Sequence, residues 1–425
     1  MRYRFALVVA LASVGCVGDA PTVTPGTDDS GADGGGPVDS GGGTDGTLSD
    51  GTTPGDGGTD TATPCDAPKT VCGSACVDTT TSPDNCGACG RSCGGGTCAA
   101  SACSPATLYP NIDQPNDFAI DATSVYVTYE DKVASCPLAG CAGKQPTQIA
   151  SMAPANKYPT GMIAASNGRV YFVGSPDQNT ERYIVYTCPV AGCPATVPMV
   201  TGASFSGPSA MIVGGTSGET VYYVDPQSGM NEVDCTNGVC GTPIFISAKP
   251  LVGLGADAQF LYTVDTSTTT PTSLALVKCP VGAANCTRAI VTANGRSTTQ
   301  AGLFNQLQVH GGIIYMNGAG RLSGGNGIYQ CPVGGCANAT ELQSSFNPFP
   351  DMKVDDSGVY WIDGTNGGEL HTCPLAGCTG GVKKLHAAAA NASMVRLWLD
   401  ASFVYWLETA PGDAGLVGTV YRLAK

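Results

Sequence analysis

Six times between residues 136 and 378 the chain repeats a cysteine, a short turn-forming segment and a second cysteine: CPLAGC (136–141), CPVAGC (188–193), CTNGVC (235–240), CPVGAANC (279–286), CPVGGC (331–336) and CPLAGC again (373–378). Such pairs serve as zinc knuckles, as redox devices or as structural staples. Zinc wants four convergent ligands, commonly including histidine, and the chain has only His310, His371 and His386. The staple reading therefore fits best, with each pair closing a hairpin turn as a disulfide: Cys136 with Cys141, Cys188 with Cys193, Cys235 with Cys240, Cys279 with Cys286, Cys331 with Cys336, and Cys373 with Cys378. Closing so small a loop contributes roughly 2 kcal/mol in the chain-entropy model. Disulfides in this number belong to an oxidising compartment.

The 21 cysteines divide as one, eight and twelve. The single one is Cys16, at the end of MRYRFALVVALASVGC, where two arginines precede an apolar run and small residues. That pattern is an export signal, too short to remain as a spanning helix. Ser13-Val14-Gly15-Cys16 resembles a bacterial lipobox, although Ser13 stands where leucine is usual. The resemblance implies lipidation at Cys16 and attachment to the outer membrane or cell surface. Ordinary cleavage after Ala20 is the alternative. Acyl chains anchor by roughly 0.8 kcal/mol per buried methylene.

Residues 17–64 hold nine Asp and no Lys or Arg among Gly, Thr, Pro and Ser. They cannot bury enough apolar surface to offset chain entropy and are expected to be a disordered tether, with a coil reach of about 40 Å. The next segment, 65–103, packs Cys65, Cys72, Cys76, Cys86, Cys89, Cys93, Cys98 and Cys103 into a core too small to hold without covalent links. Four disulfides are expected, and eight cysteines leave 105 pairings open. The stretch CGSACVDTTTSPDNCGACGRSCGGGTC resembles the cysteine-rich module of the plant stigma-specific protein family, a pattern also met in exported proteins of myxobacteria-like Gram-negatives. The resemblance implies an extracellular disulfide knot without enzymatic activity.

From residue 104 to 425 an aliphatic residue followed by a tyrosine recurs at a regular interval, at Tyr126, Tyr171, Tyr222, Tyr262, Tyr315, Tyr360 and Tyr405. The spacing is near 46 residues, in the range of propeller blades. Apolar positions alternate and turn residues interrupt them, so strands rather than helices are expected. Each repeat reads as four strands, with the cysteine pair between the third and fourth. The last repeat ends at GTVYRLAK after its third strand, and SPATLYPN (104–111) supplies the missing one. The expected fold is all-β: a seven-bladed β-propeller with N-terminal strand closure, following the disulfide module and the tether. VYWID (359–363) and VYWLE (404–408) resemble the YWTD-type propeller repeat, whose acid also stands at Asp225 and Asp265. That family usually has six blades, and these acids are expected to cap strands.

The net charge of −14 argues against nucleic acid as a partner. In this topology the turns between strands one and two share an end with the disulfide hairpins, and the remaining loops share the other end. The second end varies in length and is the expected ligand face, with Tyr158, Phe205, Phe304, Phe346 and Phe349 as candidate platforms for a polysaccharide or protein. Gluconolactonase-type propellers carry Glu, Asn and Asp on a central metal. Here Asp121, Asp257, Asp355, Asp356 and Asp400 fall in the one-to-two turns instead, as Asx-type turns. No catalytic residue, metal site or cofactor is assigned. The expected role is that of an exported binding protein anchored in the membrane by an N-terminal lipid, with a lactonase-like hydrolase or a passive scaffold as alternatives.

Overall fold

The computed structural model describes Ala12–Ser13 and residues 65–425, apart from 142–144, 152–158, 175–182, 194–209, 216–218, 226–228, 249–250, 266–272, 297–303, 320–325, 338, 346, 348 and 414. Cys16 and the 17–64 tether lie outside the described residues. Ala12–Ser13 run parallel to Ala210–Met211. They belong to the expected export signal.

Seven antiparallel sheets follow one another in the chain. They span residues 115–151, 159–189, 210–247, 251–296, 304–345, 352–387 and 393–424, and are numbered as blades 1 to 7. Strands are lettered a to d from the axis outward. Blade 2 has three described strands. The a strands contact one another in order around the ring, and the a strand of blade 7 meets that of blade 1. The fold is a seven-bladed β-propeller. Its closing strand is Ala106–Asp113, which pairs antiparallel with Gly415–Ala424 as strand d of blade 7. Ring closure leaves only short outer edges, which protects the sheets from pairing with other chains.

The repeated aliphatic-Tyr pair lies in strand b of each blade, where both residues are buried. Their apolar bodies fill the junctions between neighbouring sheets, and the first cysteine of all six hairpin pairs is buried with them. The hairpin itself can be decoded residue by residue in blade 1. Cys136 bonds to Cys141. Pro137 has no amide to donate, and its carbonyl accepts the Gly140 amide at 2.8 Å. Gly140 sits at φ 97°, a backbone conformation that suits glycine. The Leu138 amide donates to Thr123 O at 2.9 Å, tying the hairpin to the a–b turn of its own blade.

In four of the hairpins the second cysteine reaches outward to the neighbouring blade. The amides of Cys141, Cys193, Cys286 and Cys336 donate to Leu108 O, Ile149 O, Ile246 O and Val291 O, at 2.7–3.1 Å. Each acceptor lies on strand d of the preceding blade. The staples therefore hold turns that clasp one blade to the next around the rim.

The eight-cysteine module pairs as Cys65–Cys76, Cys72–Cys89, Cys86–Cys98 and Cys93–Cys103. It rests on blade 7 at the end of the ring that carries the disulfide hairpins. Arg91 Nη2 donates to Lys425 O at 3.1 Å, and Arg422 Nε donates to Gly94 O at 2.6 Å. The Arg422 guanidinium lies 4.9 Å from the Phe403 ring centroid. Gly94 has φ 61°, and a side chain there would run into that ring.

Candidate functional site

The axis carries four charged side chains that are almost wholly buried: Asp117, Asp351, Lys353 and Arg396. Asp117 begins the buried part of strand a in blade 1, Asp351 precedes strand a of blade 6, and Arg396 lies in strand a of blade 7. They sit near the starts of these strands, away from the a–b turns. Blades 6, 7 and 1 are consecutive around the ring, so the acids flank the arginine.

Arg396 Nε faces Asp117 Oδ1 at 3.3 Å, as an ion pair without hydrogen-bond alignment. Lys353 Nζ lies 3.4 Å from Asp351 Oδ1 and 6.0 Å from the Trp398 ring centroid. Both carboxylates also work as struts between blades. Asp117 accepts the Phe118 amide at 2.9 Å and, through Oδ2, the Ile163 amide of blade 2 at 3.3 Å. Asp351 accepts the Met352 amide at 2.8 Å and the Leu397 amide of blade 7 at 2.8 Å. Trp398 Nε1 donates to Phe118 O, again joining blade 7 to blade 1.

Burial pushes the Asp117 carboxyl up to about 7, against the opposing pull of the Arg396 guanidinium and the Phe118 amide. An acid of that strength changes charge near neutrality. Chemically the cluster is a buried, charge-paired set of groups on the inner strands of blades 6, 7 and 1.

Asp117, Asp351 and Arg396 each stand nine residues before the tyrosine of their repeat. Aligning the repeats on that tyrosine finds them. The acids of the a–b turns are the more conspicuous signal in the sequence.

Of the five aromatic candidates, Phe349 is 6% exposed and packs with Trp361 and Met352 at the junction of blades 5 and 6. It forms core there and offers no platform, because the chain entering strand a turns it inward. Tyr158, Phe205 and Phe346 lie outside the described residues, as does the side chain of Phe304.

The turn acids do sit at the disulfide end. Asp121 accepts the amides of Thr123 and Ser124, Asp257 those of Gln259 and Phe260, and Asp400 those of Ser402 and Phe403. Asp355 accepts the Ser357 amide, and Asp356 meets His310 at 3.0 Å. In strand b, Asp363 accepts the Thr365 amide, Glu408 the Ala389 amide, and Asp265 pairs with Arg288 at 2.9 Å.

The histidines do not converge. His371 stacks on Trp361 in blade 6, and His386 lies against Trp406 of blade 7. Among the described residues, the metal-ligating atoms that cluster are the sulfurs of Cys86, Cys93 and Cys103, and disulfides occupy all three.

No family model matches the chain, and no curated protein matches it in sequence. Solved propellers match it in three dimensions. The chain is similar to YCF48 bound to a D1 peptide, at 9% identity and a TM-score of 0.50, over 76% of this chain and 94% of that one. It is similar to the propeller domain of the trilobed protease of Pyrococcus furiosus, at 10% identity and a TM-score of 0.48, over 73% and 95%. The computationally designed Ika8 protein matches at 10% identity and a TM-score of 0.47, over 75% and 98%. The likeness is one of fold.

Proposed function

We propose that the chain is an exported binding protein, held at the cell envelope by a lipid on Cys16 and presented on the 17–64 segment, with a polysaccharide or a protein as its ligand. The supporting observation is a division of labour between the two ends of the ring. One end is committed to structure, with Asx-type turns, six disulfide hairpins and the docked module. The opposite end has the axial charge cluster, and the connections between strands b and c and between strands d and a vary most in length along the sequence. A stiff scaffold with variable loops at one end is the usual arrangement of a recognition surface. Ten disulfides accord with export.

Two measurements test the reading. Palmitate labelling of wild type and Cys16→Ser in a Gram-negative host should put label and membrane retention on wild type alone; equal retention of both would remove the anchor. A thermal-shift panel with envelope glycans, envelope protein fractions, divalent metals and EDTA should raise the midpoint with a glycan or protein. A midpoint lowered by EDTA and restored by one metal would instead support a metal-dependent hydrolase.

A further inference from the structure

Between blades 3 and 4, on the outer rim, lies an open cavity of about 510 Å³, within the range of small-molecule sites, roughly 300–1,000 Å³. Its walls are the Phe245 ring from strand d of blade 3, and Val277 and Ile290 from strands c and d of blade 4. Phe245 is 38% exposed and Ile290 65%. Asp265 and Arg288, paired at 2.9 Å, provide its polar wall, with Asn285 beside them.

We infer that this cavity is a binding site for a neutral saccharide. Three observations select that chemistry. The ion pair leaves the site without net charge, so an anion would meet Asp265 and a cation would meet Arg288. The strand edge is already in use: Phe245 O and Ile246 O accept the amides of Asn285 and Cys286 at 3.1 and 2.7 Å, which obstructs addition of a peptide strand. What remains is an aromatic and aliphatic surface beside a carboxylate, a guanidinium and an amide. A pyranose ring matches it, with an apolar face for Phe245 and adjacent hydroxyls that donate to the carboxylate and accept from the guanidinium.

This inference rests on the reading of the chain as a binding protein and names a ligand class for it. The test is calorimetric titration of the full chain with soluble oligosaccharides of glucose, xylose, mannose and N-acetylglucosamine. Phe245→Ala, Asp265→Asn and a surface control, Val239→Ala, are titrated in parallel.

At least one series should bind wild type and the control equally. Both cavity variants should weaken it by about tenfold, equivalent to about 1.4 kcal/mol. Asp265→Asn breaks an ion pair and is checked by its thermal midpoint; Phe245→Ala trims an exposed ring and decides the matter if the other misfolds. Binding that survives Phe245→Ala would overturn the cavity assignment while leaving a polysaccharide ligand in place. No binding by any series would overturn the saccharide itself, and the broader reading would then rest on envelope protein fractions.

Discussion

The phenol of Tyr126 donates a 2.6 Å hydrogen bond to the carboxylate of Asp121, five residues earlier and across the a–b turn. Tyr262 does the same to Asp257 at 2.6 Å, and Tyr405 to Asp400. The ring of each tyrosine fills a blade junction while its hydroxyl fixes the turn acid, whose other oxygen holds two amides. One side chain thus serves both packing and turn geometry. That dual role accounts for tyrosine, rather than phenylalanine, in these three blades.

Tyr126→Phe should therefore destabilise the propeller by about 1.5 kcal/mol, the lower end of the range for hydrogen bonds to charged groups, with little change in fold. Denaturant unfolding with an unchanged m-value is the check. A cost near zero would mean that Thr123 and Ser124 alone suffice to hold Asp121.

The carboxylates respond to pH with opposite signs. Burial alone would raise Asp121, but the hydrogen bonds from Tyr126, Thr123 and Ser124 outweigh it and hold the carboxyl below its ordinary value. Burial likewise opposes the partners of Asp355, Lys425 and Ser357, which also prevail. These acids stabilise the fold above their unfolded pKa, about 4, and that stability is lost as pH falls through the folded values. Asp117 behaves in reverse. With its carboxyl raised to about 7, the native state keeps a proton that the unfolded chain gives up above about pH 4. Stability should fall as pH rises from about 4 to 7, by up to about 1.4 kcal/mol per unit from this group. Asp117→Asn should flatten that limb and leave the acid limb intact, as read by urea midpoints across pH.

Replacing Cys331 and Cys336 together by alanine removes one staple. The loss should be roughly 2 kcal/mol. Its distinctive sign is local: hydrogen exchange should rise at the Cys336 amide, which bonds to Val291 O of blade 4. Unchanged exchange there would show that the turn keeps its clasp without the disulfide.

Gly94→Val should lift the cysteine module off blade 7, because the new side chain meets the Phe403 ring. Exchange should increase around Gly94 and Lys425, with the four module disulfides intact by mass mapping. Protection equal to wild type would remove Gly94 from the docking contact.

Much of this architecture is legible in the sequence. The cysteine pairs and the aliphatic-Tyr spacing announce seven blades, and the incomplete last repeat announces the closing strand. The contacts between blades are less visible. The clasp from Cys141 to Leu108 O uses backbone atoms, which carry no residue signature. The Asp117 and Asp351 struts have one, but it emerges only when repeats are aligned on the tyrosine. Phe349 shows a different limit: an aromatic in a loop reads equally well as a ligand platform or as core, and only packing separates the two. The Asp265–Arg288 pair joins residues 23 apart across strand c, a proximity that depends on the register of blade 4.

In blade 7 the ring is joined by strand pairing instead of continuous chain. Its strand d leads directly back into the cysteine module. Tension arriving from the chain ahead of Cys65 would thus enter the module first. The module grips strand c of the same blade, through Arg422, and the carbonyl of Lys425. Part of the load is delivered to the strand that the closing strand must stay beside, so the two sides of the joint are drawn together. An unstapled seam becomes a mechanical splice, and pulling on the N-terminal side need not unzip it.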